Sequence, residues 1–196
     1  HGTAHVQDKL NWQVTTSFVE DGKRSDVVNY YDGTFRSRQT VTGTNLEMKD
    51  ITSGNQSCVP GSEKEREVIA GETIYDFQGR PSVNILPAPT NSLKIEYIKY
   101  LNLSESTHQP YSWQDFDKIS FNCSLSKKLD PGLQNGIMGA SSYYSPNNPN
   151  KLNFNAFIPD AHGYPFTQLI YTPDNTGRIM AQSGLDEVFQ LGNGHE

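Results

Sequence analysis

Only two cysteines, Cys58 and Cys123, occur in 196 residues. That is too few for a disulfide-dense scaffold, and their separation is not the paired spacing of a zinc site, so one disulfide or two separate thiols remain open. Long apolar runs are missing too: none approaches the roughly 18 residues that a helical membrane span needs. Positive charge is scarce and dispersed, with 16 Lys and Arg against 22 Asp and Glu and a net charge of −6. Non-specific nucleic-acid binding, which relies on clustered cations to neutralise phosphates, is therefore disfavoured. Apolar residues make up only 34%, below the ordinary globular proportion even when glycine is counted. A core this thin suits a sheet with partly wet faces, or a piece whose neighbours complete it. The amino terminus shows no secretory signal pattern. Beginning at His1 without an initiator methionine, the chain reads as a mature product or a segment of something longer.

Turn signals and β-type alternation fill much of the sequence. The stretch LNWQVTTSFVEDGKRSDVVNYYDGTFRSRQTVTG predicts a meander, with strands near 10–19, 26–31 and 36–42 separated by Asp21-Gly22 and Asp32-Gly33. Asp-Gly between alternating apolar runs is a strong hairpin signal. In ETIYDFQGRPSVNILPAPT, residues 72–75 alternate as a half-buried strand does, Asp76 and Gly79 supply turn chemistry, and Val83, Ile85 and Leu86 resume the apolar signal. Residues 92–103 also alternate, predicting a further strand, although Leu93, Ile95, Tyr97 and Ile98 allow a helix. The stretches 43–66 and 104–150 read as loops or insertions in a single unit spanning 1–196. Proline and asparagine are too frequent in 142–166 for a helix, but Tyr143, Tyr144, Phe154, Phe157, Tyr164 and Phe166 bring aromatic mass that would pin such a loop to a sheet. FTQLIYTPDNTGRIMAQSG then returns to strand, turn, strand. The predicted class is all-β, built of antiparallel strands and hairpins with long ordered Pro/Asn-rich loops.

Three segments align: NYYDGTFRSRQTV, TIYDFQGRPSVNI and LIYTPDNTGRIMA. In each, a strand closes on a tyrosine and a turn delivers an arginine to the return strand, five residues after Tyr31 and Tyr75 and seven after Tyr171. The repeated set is Tyr31, Asp32 and Arg36; Tyr75, Asp76, Gly79 and Arg80; and Tyr171, Asp174, Gly177 and Arg178. A hairpin that cannot bury its own face must stack on the next, so such a sheet grows by addition. Tyrosine supplies broad stacking area, and arginine can lie over an aromatic face or pair with the turn acid.

The YDFQGR unit resembles the Tyr-Asp repeat of Rhs-type proteins, and the wider wording is similar to the large Rhs-like proteins exported by Gram-negative bacteria. That wording comprises FVEDGKRSDVVNYYDGTFRSRQTVT, ETIYDFQGRPSVNILPAPT, GASSYYSPNNPNK, FIPDAHGYPFTQLIYTPDNTGRI and SGLDEVFQLGNGHE, in this order. The resemblance implies a long β-strip wound into a hollow shell that encloses or carries a C-terminal toxin or effector. This chain would be a non-catalytic segment of the wall, with the remainder of its own longer polypeptide as first partner. Secretion by a type IX pathway, display at a bacterial surface, and contact with the enclosed toxin, secretion machinery or surface proteins follow from the same resemblance. The sequence departs from the repeat in two places: no glycine precedes Arg36, and Thr172 rather than aspartate follows Tyr171. LDPGL at 129–133 resembles the Asp-Pro motif at which such shells cleave themselves, but lacks the residue between Pro and Gly.

Two enzyme readings compete. An N-terminal His-Gly resembles the start of secreted copper monooxygenases, with His5, His108 or His162 available as second ligand, yet no spacing selects one of them. Asp160 lies two residues before His162, but without an adjacent Ser or Cys nucleophile this pair is ordinary turn chemistry. No catalytic residue, metal or cofactor is therefore expected. The remaining alternative is an extracellular carbohydrate- or protein-binding β-module using Trp12, Trp113 or the Tyr143-Tyr144 pair, for which exposed aromatics would speak.

Overall fold

Alternation and turn chemistry convert into hairpins in the computed structural model, which describes residues 10–18, 24–45, 66–90, 92, 94–117, 127–131, 139–148 and 156–193. Seven strands form one sheet: β1 (Asn11–Phe18), β2 (Arg24–Tyr31), β3 (Ser37–Asn45), β4 (Arg66–Tyr75), β5 (Pro81–Thr90), β6 (Phe166–Tyr171) and β7 (Ile179–Gln182). Their spatial order is their chain order, and every pair is antiparallel. The architecture is thus all-β, as the alternation predicts. The Asp21-Gly22 turn, Cys58, Cys123, His1, His5 and Phe154 lie outside the described residues.

One face of the sheet is the inner one. Asp26, Val28 and Tyr30 of β2, Gln39 and Val41 of β3, Val68, Ala70 and Ile74 of β4, Val83, Ile85 and Ala88 of β5, and Phe166 and Gln168 of β6 are all buried. On the opposite face the rows are polar: Thr40 donates to Asn29 across β2 and β3 (2.8 Å), and Thr73 to Asn84 across β4 and β5 (3.2 Å). Such cross-strand pairs hold register on a half-wet surface, each worth about 0.2–1 kcal/mol.

The inner face is covered by the connection from β5 to β6, residues 91–165. It brings Ile98 and Leu101 onto the β2 to β4 part of the sheet, and Tyr111, Phe116, Leu129, Ala140 and Tyr164 onto the β4 to β6 part. Phe116 meets Phe166 edge to face at 5.3 Å, and Tyr97 meets Tyr30 likewise at 5.4 Å. Each fully buried side chain of this size stabilises the fold by about 1.5–3 kcal/mol. Two one-turn helices, α1 (Trp113–Phe116) and α2 (Ala140–Tyr143), punctuate the cover. Helix α1 begins at a capping box in which the Ser112 backbone N–H donates to Asp115 (2.8 Å).

Residues 92–103 are corrected by the structure: where described, they form neither the predicted strand nor a helix, and only Leu103 makes an isolated bridge, to Pro110. The apolar signal of this stretch is real, because Ile98, Leu101 and Leu103 are buried, but the burial does not alternate, since Asn102 and the adjoining Ser104 are buried as well. Its backbone partner, however, is a side chain. The Gln39 amide donates to the Ile98 carbonyl (3.0 Å) and accepts from its N–H (2.8 Å), imitating one rung of a strand ladder. Of the six aromatics expected to pin the later loop, Tyr164 and Phe166 are buried, Tyr143 and Tyr144 lie against the core cluster, and Phe157 points outward.

Strand β1 sits beyond the cover. Trp12 and Val14 align with Tyr30 and Val28 of the inner row, yet every residue of β1 is exposed.

Candidate functional site

The three turns are one device built three times. After β2, Asp32 Oδ1 accepts from the N–H groups of Thr34 (2.8 Å) and Arg36 (3.0 Å), while Asp32 Oδ2 takes the guanidinium of Arg36 at 2.7 Å. After β4, Asp76 does the same with Gln78 N–H (2.9 Å), Arg80 N–H (2.8 Å) and the Arg80 guanidinium (2.7 Å). An aspartate bonding its own backbone two residues on pre-forms the reversal. The arginine is then gripped by both Nε and Nη2, a charge-assisted geometry.

The third turn carries two extra residues, Thr172 and Pro173, and divides the labour. Thr172 N–H closes the loop on the Arg178 carbonyl (2.8 Å), as Asp32 and Asp76 do on Arg36 and Arg80 (2.9 Å each). Asp174 keeps the clamp, holding Arg178 Nη2 at 2.7 Å and accepting from Thr172 and Thr176 hydroxyls at 2.6 and 2.7 Å. These hydrogen bonds hold the Asp174 carboxyl well below the usual carboxylate range. Asp32 also lies well below: partial burial pushes it up, but the donors from Thr34 and Arg36 outweigh that cost.

Three residues after each aspartate the chain enters the left-handed region, at Phe35 (φ 60°), Gly79 (φ 82°) and Gly177 (φ 74°). Phe35 therefore stands where the other turns use glycine, which accounts for the missing glycine before Arg36. The register shifts just before each tyrosine, at Tyr30/Tyr31, Ile74/Tyr75 and Ile170/Tyr171, with the extra residue on the return strand at Arg38, Ser82 and Met180. The tyrosines Tyr31, Tyr75 and Tyr171 are the last residues of β2, β4 and β6.

Successive turns interlock. The Arg36 guanidinium lies 5.0 Å from the centre of the Tyr75 ring, and that of Arg80 lies 4.2 Å from the Tyr171 ring. Each receiving tyrosine also donates its hydroxyl backwards to the carbonyl of the residue after that arginine. Tyr75 bonds Ser37 (2.9 Å) and Tyr171 bonds Pro81 (2.8 Å). Burial and the neighbouring aspartate push both phenols up, while the stacked arginine opposes them. Arg36 also lies against Gly79, where a Cβ would collide with its guanidinium. Gln78 donates to Asn175, joining the second turn to the third. At the two ends the pattern is incomplete: Tyr31 bonds Gln13 of β1 (3.1 Å), and Arg178 is clamped by its own turn alone among the described residues.

The other nominated groups are spoken for structurally. His162 Nδ1 lies 2.7 Å from Asp186 and its ring Nε2 3.5 Å from Asp160, whose Oδ1 accepts from the His162 N–H (2.8 Å). Asp160 is thus a turn former, and Asp186, which caps the 3-10 helix Glu187–Phe189, is the partner that sequence spacing does not reveal. The bond to Asp186 and the charge of Asp160 raise the His162 pKa. Asp130 of the LDPGL stretch accepts from the Tyr111 hydroxyl (2.8 Å) and from Glu105 N–H (2.8 Å). No group of three His, Cys, Asp or Glu side chains suited to a metal ion occurs among the described residues. Nor is any of their helices long and apolar enough to cross a membrane.

One further polar centre had no sequence motif. The Glu72 carboxyl, on the inner face of β4, accepts from Gln39 Nε2 (2.9 Å) and Asn102 Nδ2 (2.7 Å). Burial drives its pKa up against the lowering effect of these two donors. The only hint was a charged residue at an inward register position, opposite Gln39 and Ile85.

Compared with family models, curated proteins and solved structures, the chain matches none.

Proposed function

We propose that this chain is a non-catalytic wall segment of a secreted or surface-displayed β-strip container of the Rhs/YD-repeat kind, which encloses or carries a toxin or effector. One observation carries the reading: in both completed rungs the repeated arginine and tyrosine are spent on joining one hairpin to the next. Arg36 and Arg80 are committed to their own aspartates and to the tyrosine of the following unit. Chemistry of that kind serves to extend a sheet. An antibody raised against the chain, used on secreted and surface fractions of the source cells, tests it. A species several times larger than 21.9 kDa is expected; a mature product of that mass would overturn the reading.

A binding module for carbohydrate or protein is the second reading, favoured by the 38% exposure of Trp12. Trp113, Tyr143 and Tyr144 favour it less, being packed against the core cluster. Glycan-array binding that disappears in Trp12→Ala would put it first.

A further inference from the structure

We infer that the outer edge of β7 is a docking edge for one kind of partner: an extended strand, antiparallel to β7, whose last residue is a tyrosine. The inference rests on the wall reading and names the chemistry that continues the wall. Both completed rungs use the same parts. A guanidinium clamped by its turn aspartate offers a face to the ring, and the carbonyl after the arginine accepts the phenol: Arg36 and Ser37 for Tyr75, Arg80 and Pro81 for Tyr171. At β7 the first half of this socket is already assembled. Arg178 is held by Asp174 (2.7 Å) and Thr176 (3.0 Å), and Ile179 follows it in the place of Ser37 and Pro81. What differs is cover. The Arg178 side chain is 72% exposed, against 35% for Arg36 and 23% for Arg80.

The edge itself is a second, independent observation. Natural edge strands are guarded by charge, proline or inward-turned polar groups, because unpaired N–H and C=O groups recruit other strands. Strand β7 reads Ile-Met-Ala-Gln, with neither a charge nor a proline, and both Ile179 and Met180 are exposed. It is the last strand in the sheet order among the described residues. A tyrosine satisfies both halves of the socket, a phenylalanine only the ring half, and a terminal Lys or Arg is repelled by Arg178.

The test uses the full chain, isotope-labelled, and two synthetic peptides copying residues 66–80, one with Tyr75 and one with Tyr75→Leu. Amide shifts on β7 should report binding of the first about tenfold tighter than the second. Arg178→Ala should erase that preference, and Ile179→Lys, which leaves the turn clamp in place, should weaken both peptides. Equal affinity for the two peptides, or no shift on β7 up to about 1 mM peptide, overturns the inference. A long parent protein with no tyrosine preference at β7 sinks the docking edge and leaves the wall reading standing. A short mature species with that preference does the reverse.

Discussion

Gly79 and Gly177 occupy the same turn position, yet replacing them with alanine should have unequal cost. Both have positive φ, 82° and 74°, so each alanine incurs the left-handed penalty of about 1–2 kcal/mol, partly offset by a stiffer unfolded chain. For Gly177→Ala that is the whole effect, about 1 kcal/mol, because a Cβ there meets nothing within 4 Å. At Gly79 the new methyl would overlap Arg36 Nη1. The guanidinium cannot simply retreat, being held at 2.7 Å by Asp32 and lying 5.0 Å from the Tyr75 ring centre. Losing the aromatic contact adds about 0.5–1 kcal/mol, with little more from the partly exposed ion pair. Gly79→Ala should therefore cost about 2 kcal/mol in urea unfolding, and melt about 2–4 °C below Gly177→Ala for a chain of this size. In an Arg36→Ala background the difference should vanish, since the obstacle has gone. Equal losses in the two single variants, or a gap that survives Arg36→Ala, would refute the interlock.

Other outcomes follow from single sites. Phe35→Gly should stabilise the chain by about 0.5–1 kcal/mol, because the exposed Phe35 gives up left-handed strain and loses no burial; a lower melting temperature would contradict this. Glu72→Gln should destabilise by about 1–3 kcal/mol. Gln39 and Asn102 are locked with their N–H₂ groups toward residue 72, because their oxygens accept from Ile98 and Ala140 N–H, so a glutamine sets donor against donor. Since burial raises the Glu72 pKa, its contribution is full below the unfolded-state value and declines as pH rises through the folded one. Unfolding curves against pH should show that slope in the native chain and lose it in the variant. His162 should titrate by NMR above its ordinary 6.5, so the stability it gives is present below that pH and is lost as pH rises through the raised value. Asp186→Asn should bring the midpoint back down, and an unmoved midpoint would remove Asp186 as the cause.

The hairpins were legible because their chemistry is local. Asp32 and Asp76 bond N–H groups two and four residues on, so a few letters suffice to place each turn. The third turn was harder to align when spacing was counted from the tyrosine. Counted from the aspartate it is constant, since Asp32, Asp76 and Asp174 each precede their arginine by four residues. The cover was not legible in its form. Ile98 and Leu101 supply apolar anchors, but what holds the backbone at Ile98 is the Gln39 side chain, 59 residues away. Nor could sequence spacing reveal Asp186 as the partner of His162, or Asn102 as that of Glu72. Such pairs depend on how 91–165 returns to the sheet, a tertiary fact with no local signature.

The identity of strand order and chain order bears on how the molecule assembles. Every neighbouring pair but one is joined by a short or moderate connection; β5 and β6 alone are separated by residues 91–165 and share a register of only Val83–Ile85. The entropy of closing a loop grows only logarithmically, about 0.6 kcal/mol per doubling of length, so this long excursion weighs little on final stability. It weighs more on speed, because distant contacts must await chance encounter. The β1 to β5 meander should therefore form before β6 and β7 are stitched on, with the cover condensing in the same late step. Pulsed hydrogen exchange that protected β6 amides before those of β3 would reverse that order.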